Sequence, residues 1–142
     1  MRGNDITAIQ TNGRNKKDNE LRNTLYVFDY DGIKVAHLGD LKRVPSQTEV
    51  EALGEVNVAL VPVGGGGGLN AAKAAEVISL LEPNIVVPMH YATPDSKLEL
   101  DSLDKFLKEM GLGKSEAEDS LKVTRSVLPQ ETHVVVLNYQ SK

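Results

Sequence analysis

The rhythm of apolar and polar residues changes along the chain and predicts strands and helices in alternation. Residues 24–29 (TLYVFD) and 33–38 (IKVAHL) are two β-rich runs on either side of Tyr30-Asp31-Gly32. An Asp-Gly between such runs is a strong hairpin signal, because its turn needs positive φ. A shorter run at residues 6–9 predicts a first strand, and residues 56–63 (VNVALVPV) read as a buried strand. Ser46-Gln47-Thr48-Glu49 spells a capping box, and Gly54 follows as a stop, so a short helix is expected over residues 47–53. Asn70 can cap a second helix, whose apolar stripe is Ala74, Val77, Ile78 and Leu81 and whose end is set by Pro83. The next strand, residues 85–87, closes at Pro88-Met89-His90. Asp101 is expected to cap a third helix with the stripe Leu103, Phe106, Leu107 and Met110, stopped by Gly111. Residues 121–138 read as a C-terminal β-hairpin turning at Pro129-Gln130-Glu131. The polar segments 11–23 and 111–120 read as loops.

The order strand–helix–strand–helix–strand in the middle favours parallel strands joined by right-handed crossovers. Antiparallel hairpins on either side make the sheet mixed. The expected fold class is therefore α/β, with residues 1–142 as a single domain. Sites in such sheets gather at the carboxyl ends of strands. Asp40, the five glycines of residues 64–68, and His90 all fall there, although 50 residues separate the first from the last. This convergence is the main sequence evidence for a site.

Composition narrows the function. The 142 residues carry 16 Lys plus Arg against 20 Asp plus Glu, a net charge of −4 that argues against a nucleic-acid-binding surface. Aromatics at 4% with no Trp leave little for stacking on bases. There are no cysteines, which excludes disulfides, thiolate metal sites and a cysteine nucleophile. No apolar run approaches the ~20 residues of a membrane span. The polar start, Met1-Arg2-Gly3-Asn4-Asp5, has no apolar signal core, so a cytoplasmic location is expected.

Asp40 and His90 are metal-ligand types, a carboxylate and an imidazole suited to zinc, manganese or iron. The plainer alternative is an aspartate capping a turn and a partly buried, satisfied histidine. His37 lies an odd number of residues before Asp40, so a regular strand would point it to the other side. It reads as a structural histidine holding a backbone group, and His133 reads as structural too. The glycine run, Gly64 and Gly65 through Gly68, could cradle a phosphate or nucleotide at a helix N-terminus, or could be a turn forced by close packing. Gly66-x-Gly68-x-x-Ala71 matches a relaxed dinucleotide pattern, but the acidic residue expected after the next strand is replaced by Met89-His90. Gly113-Lys114-Ser115 is not a P-loop, since Lys108 stands where its first glycine belongs. No G-x-S-x-G elbow occurs. Arg14, Lys16, Lys17 and Arg22 are interleaved with Asp18 and Glu20, as on a solvated loop.

Ala36-His37-Leu38-Gly39-Asp40-Leu41, Val61-Pro62-Val63-Gly64-Gly65 and Ile85-Val86-Val87-Pro88-Met89-His90-Tyr91, in that order, resemble the metallo-β-lactamase superfamily. The resemblance covers residues 5–111 and is nearest to small bacterial metal-dependent hydrolases of the ascorbate-phosphate lactonase-like branch. It implies half of an αββα sandwich, with one or two metals at the sheet edge held by Asp40 and His90. His37, Gly64, Gly65 and Tyr91 would support them. The metal would activate water against a small-molecule ester, lactone, amide or phosphoester. The family's H-x-H-x-D-H motif does not occur, residues 11–23 contain no His, and the glycine turn ends in Gly68-Leu69-Asn70 where the family has threonine. The chain thus resembles the C-terminal half of the fold with two of its ligands, which leaves open whether it holds zinc, manganese or iron or no metal at all. Such a half is expected to be incompetent as a single chain, and the alternative is a non-catalytic, homodimeric binding module. Helices on one sheet face only would leave the other face apolar and open. A second copy, a separate N-terminal half-domain or rearranged strands would have to cover it.

Overall fold

The computed structural model describes residues 4–11, 23–30, 32–39, 41, 43–65, 69–89, 91, 100–112 and 128–137. Within them β1 (Asn4–Thr11), β2 (Asn23–Tyr30) and β3 (Ile33–His37) form an antiparallel meander. Tyr30 pairs with Ile33, so the Asp-Gly hairpin forms as expected, with Gly32 at φ 82°. From β3 onward the sheet is parallel, through β4 (Val58–Pro62) and β5 (Ile85–Met89) to β6 (His133–Val134). The six strands lie in sequence order across one mixed sheet. β1 is longer than its apolar run because pairing with β2 carries polar residues at both ends into the ladder. β6 falls where the second arm of a C-terminal hairpin was expected but is two residues long and pairs parallel with β5, and residues 121–127 of the expected first arm lie outside the described residues.

Helices α1 (Gln47–Leu53), α2 (Ala71–Leu81) and α3 (Leu103–Glu109) connect the parallel strands. The capping box of α1 is complete: the Glu49 N–H donates to Ser46 Oγ at 3.2 Å and the Ser46 N–H to Glu49 Oε1 at 2.9 Å. In α2 the Lys73 N–H donates to the Asn70 cap at 2.9 Å. One expectation fails at α3, whose N-cap position is Ser102. The Asp101 N–H is instead taken by the Gly64 carbonyl at 2.7 Å, and its carboxylate meets Lys105 Nζ at 3.2 Å. The carboxylate is thus engaged by a side-chain cation rather than by a backbone N–H of the first turn.

The helices cover one face of the sheet. There Leu25, Val27, Ala36, Ala59, Val61 and Val86 pack with Leu53, Val77, Ile78, Leu81, Phe106 and Leu107. Burying one large side chain of this kind contributes about 1.5–3 kcal/mol, so this layer dominates stability. The opposite face carries Val58, Ile85 and Val87 with Ile33, Val35, Leu60, Val135 and Leu137, and no helix residue joins that cluster. Toward β1 this face becomes exposed, with Ile6 65%, Tyr26 42%, Phe28 38% and Tyr30 61% accessible. This is a mixed sheet with helices on one side, one layer pair of an αββα sandwich.

The sheet edge at the start of β4 is closed by polar bonds. Buried Asn57 accepts from the Lys34 N–H at 2.8 Å and donates to Asn84 Oδ1 at 3.0 Å, and Asn84 Nδ2 donates to the Pro129 carbonyl at 2.8 Å. These two amides tie the starts of β4 and β5 to β3 and to the approach of β6. The opposite rim, where β3, β4 and β5 end, is built differently.

Candidate metal site at the strand ends

The rim is brought together by backbone bonds beyond the strands themselves. The Leu38 N–H donates to the Leu60 carbonyl at 3.1 Å, and the Val63 N–H to the Met89 carbonyl at 3.0 Å. The segment after β3 is held on both sides of Asp40: Gly39 turns at φ 62°, and Leu38 and Leu41 are fully buried. Asp40 itself lies outside the described residues, as does His90. Their chain neighbours do not. Gly39 and Leu41 flank Asp40 at the end of β3, and Met89 and Tyr91 flank His90 at the end of β5, with Tyr91 packed on the core.

His37 is where the strand alternation puts it, on the helix-free face, with cross-strand partners Tyr26 and Leu60. Its Nδ1 accepts the Gly39 N–H at 3.1 Å. An accepting Nδ1 in a neutral imidazole requires the proton on Nε2, so in this tautomer neither nitrogen is free to bind a metal. His37 holds the turn that leads into Asp40, the structural role expected for it. His133 is exposed at the other end of the sheet, paired with Ile85 at the start of β5.

Of the glycine run, Gly64 and Gly65 are described, while residues 66–68, and with them the expected phosphate cradle, lie outside the described residues. The Gly65 N–H is spent on the Leu69 carbonyl at 2.7 Å. Gly65 adopts φ 72°, and a Cβ there would sit 3.3 Å from Asp101 Oδ2. For Gly65 the packing explanation holds.

One residue of this region, Arg43, carried no motif. Arg43 donates to both Glu49 oxygens, at 2.8 and 2.9 Å, and to the Val44 carbonyl at 3.3 Å. This fork fixes the start of α1 onto the segment that follows Asp40. The Glu49 carboxyl is held below its ordinary value, first by the hydrogen bond from Arg43, against an opposing effect of burial. The capping box signalled Glu49, but nothing in a six-residue spacing announced its second partner.

A metal here would draw on Asp40 and His90. They are donors of the right kind, but they are two, and catalytic zinc sites use three protein ligands and an open position. Among the described residues no group of three or more His, Asp or Glu could hold a metal ion.

The fold defines the class, an α/β layer of the kind that pairs with a second sheet. Residues 1–90 match the beta-lactamase superfamily domain, and the chain belongs to that family. It is 39% identical over 69 residues to a UPF0173 metal-dependent hydrolase of Thermococcus onnurineus, covering 48% of this chain and 31% of that protein. It is 45% identical over 60 residues to a UPF0173 protein of Pyrococcus furiosus, covering 42% and 28%. The chain thus spans about a third of the length of these curated relatives. A crystal structure of a candidate zinc-dependent hydrolase of the metallo-beta-lactamase superfamily from Thermotoga maritima superposes with a TM-score of 0.74 at 36% identity, over 93% of this chain and 63% of that one. A metal-dependent hydrolase candidate from Parabacteroides distasonis, at 20% identity and TM-score 0.55, shares the fold. No helix among the described residues is long and apolar enough to cross a membrane.

Proposed function

We propose that this chain is the C-terminal half of a metal-dependent hydrolase of the metallo-β-lactamase superfamily, contributing Asp40 and His90 to a metal centre completed by groups from outside the chain. The observation that carries this reading is the shared rim: the residues flanking Asp40 and His90 follow β3 and β5, parallel strands on either side of β4, in a chain whose relatives are named metal-dependent hydrolases. A metal bound there would lower the pKa of water and polarise the scissile bond of an ester, lactone or phosphoester. The chain's own residues serve to place the donors. His37 and Gly39 set the turn before Asp40, the Arg43–Glu49 fork holds the segment after it, and Tyr91 anchors the chain after His90. The absence of cysteine suits a reducing, cytoplasmic setting.

The test is metal content by elemental mass spectrometry on full-length protein loaded with zinc and then desalted. Bound zinc that is lost in Asp40→Ala and in His90→Ala is expected, and hydrolysis of an ester, lactone and phosphoester panel should follow the metal. Zinc retained in both variants, or none bound by the wild type in any assembly, refutes the assignment.

A further inference from the structure

We propose that His37 is a proton-operated latch on the turn that leads into Asp40. The latch is a property of the fold itself. Its effect on a bound metal rests on the hydrolase reading above.

A bond, a hinge and two anchors make the device. The bond runs from the Gly39 N–H to His37 Nδ1, at 3.1 Å. It lasts while the imidazole is neutral, because protonation puts a hydrogen on Nδ1 and sets two donors face to face. The hinge is Gly39, at φ 62°, a region that glycine enters and leaves at no steric cost. Once its N–H is released, no side chain of its own holds it there. The anchors are Leu38 and Leu41, both fully buried, and the Leu38 N–H donates to the Leu60 carbonyl at 3.1 Å. Gly39 and Asp40 are the residues between these leucines. Opening the latch therefore acts on the stretch between two fixed points, while the sheet and the core stay in place, and that stretch holds Asp40.

The surroundings of the ring set the sign. His37 is half-buried on the helix-free face. Tyr26 faces it from β2 and Leu60 from β4, and Val35 is its neighbour on the same face of β3. Among the described residues, no Asp, Glu, Lys or Arg stands on this face of β2, β3 or β4. Tyr26 is thus the titratable group that these strands set against the ring, with Tyr30 at the far end of β2, and the nearest carboxylate along the chain is that of Asp40. The helices pack on the other face. Histidine is the side-chain type whose charge changes between about pH 5 and 8. The latch is closed on the alkaline side of that change and open on the acid side. The turn into Asp40 is therefore set at neutral pH and above, and let go on acidification.

The test is nuclear magnetic resonance on the isotope-labelled full chain, kept metal-free with chelator and titrated from about pH 8 to about pH 5. Ring-nitrogen shifts of His37, His90 and His133 report each tautomer and midpoint, and the Gly39 amide reports the bond. At alkaline pH His37 should carry its proton on Nε2. On acidification the Gly39 amide should move upfield with the midpoint of His37. Its exchange protection, corrected for the intrinsic rate, should fall about fivefold, as expected for one such bond. His37→Asn keeps an acceptor that does not titrate, so its Gly39 amide should stay at the alkaline position throughout. Zinc retained after desalting should fall more steeply with acid in the wild type than in His37→Asn. A proton on His37 Nδ1 at alkaline pH, a Gly39 amide that ignores the His37 midpoint, or a wild-type response in His37→Asn overturns the latch. The wild-type titration decides the matter even where the variant does not fold. A Gly39 amide that follows His37 in a chain binding no zinc at any pH supports the latch and refutes the metal reading. Zinc bound by a chain whose Gly39 amide does not titrate does the reverse.

Discussion

Glu49 is the sharpest probe of how the segment after β3 is held. Its carboxylate takes two bonds from Arg43, at 2.8 and 2.9 Å, and one from the Ser46 N–H at 2.9 Å. Glu49's side chain is 11% exposed and Arg43's is 39%. Charge-assisted bonds contribute about 1.5–3 kcal/mol when shielded, and solvent at Arg43 brings the pair to about 1 kcal/mol. Losing the capping box costs about 1 kcal/mol more. Glu49→Gln keeps a capping acceptor and removes the charge, so it should cost about 1 kcal/mol, and Glu49→Ala about 2. For a chain of this length that is about 3–4 °C and about 7 °C in Tm. The pH dependence follows from the depressed folded-state pKa. Such a group stabilises the fold above its unfolded value near 4.3, and the contribution is lost as pH falls through the lower folded value. The Tm gap between wild type and Glu49→Gln should therefore be flat from neutral pH down to about 5 and close below the ordinary carboxyl range. Thermal unfolding by circular dichroism, with Arg43→Ala completing a double-mutant cycle, measures this. A gap that persists on acidification, or a coupling near zero, would refute the ion pair and leave only the cap.

Two further substitutions test the rim. Gly65→Ala imposes positive-φ strain of about 1–2 kcal/mol and presses on Asp101, whereas Gly111→Ala meets a similar φ with open space around it. Gly65→Ala should thus lower Tm more than Gly111→Ala, and Asp101→Ala should recover part of the excess; equal losses would show that the contact does not matter. His37→Leu leaves the Gly39 N–H without its acceptor, a cost of about 1 kcal/mol, while His37→Asn offers an oxygen in place of Nδ1 and should restore most of it. If both variants melt together, the bond to Gly39 contributes nothing.

Local chemistry in the sequence told most about the fold. The Asp-Gly turn, the Ser46–Glu49 capping box and the Asn70 cap each involve residues within three positions of one another, and each forms as read. The helical stripe of α2 likewise separated buried from exposed positions, and the apolar run of β4 is buried as read. What escaped the sequence are bonds across long separations. Asp101 was expected as a cap, yet its N–H bonds to Gly64, far away in sequence, and its carboxylate to Lys105. Asn57 carried no motif, yet it and Asn84 join the strand starts. Of the site, the structural role of His37 was legible, because alternation is a property of the pattern. The Arg43–Glu49 fork was not, because it depends on how a loop returns to a helix.

The register that makes the helix-free face also limits how it can change. Tyr30 opposite Ile33 at the hairpin, and the Asn57 bond to the Lys34 N–H, pin β2, β3 and β4 against slippage. A one-residue slip would turn Leu25 and Val27 outward and the Tyr26–Phe28–Tyr30 ridge into the helices. The face therefore cannot relieve its exposure by rearranging these strands without dismantling the layer that contains Phe106.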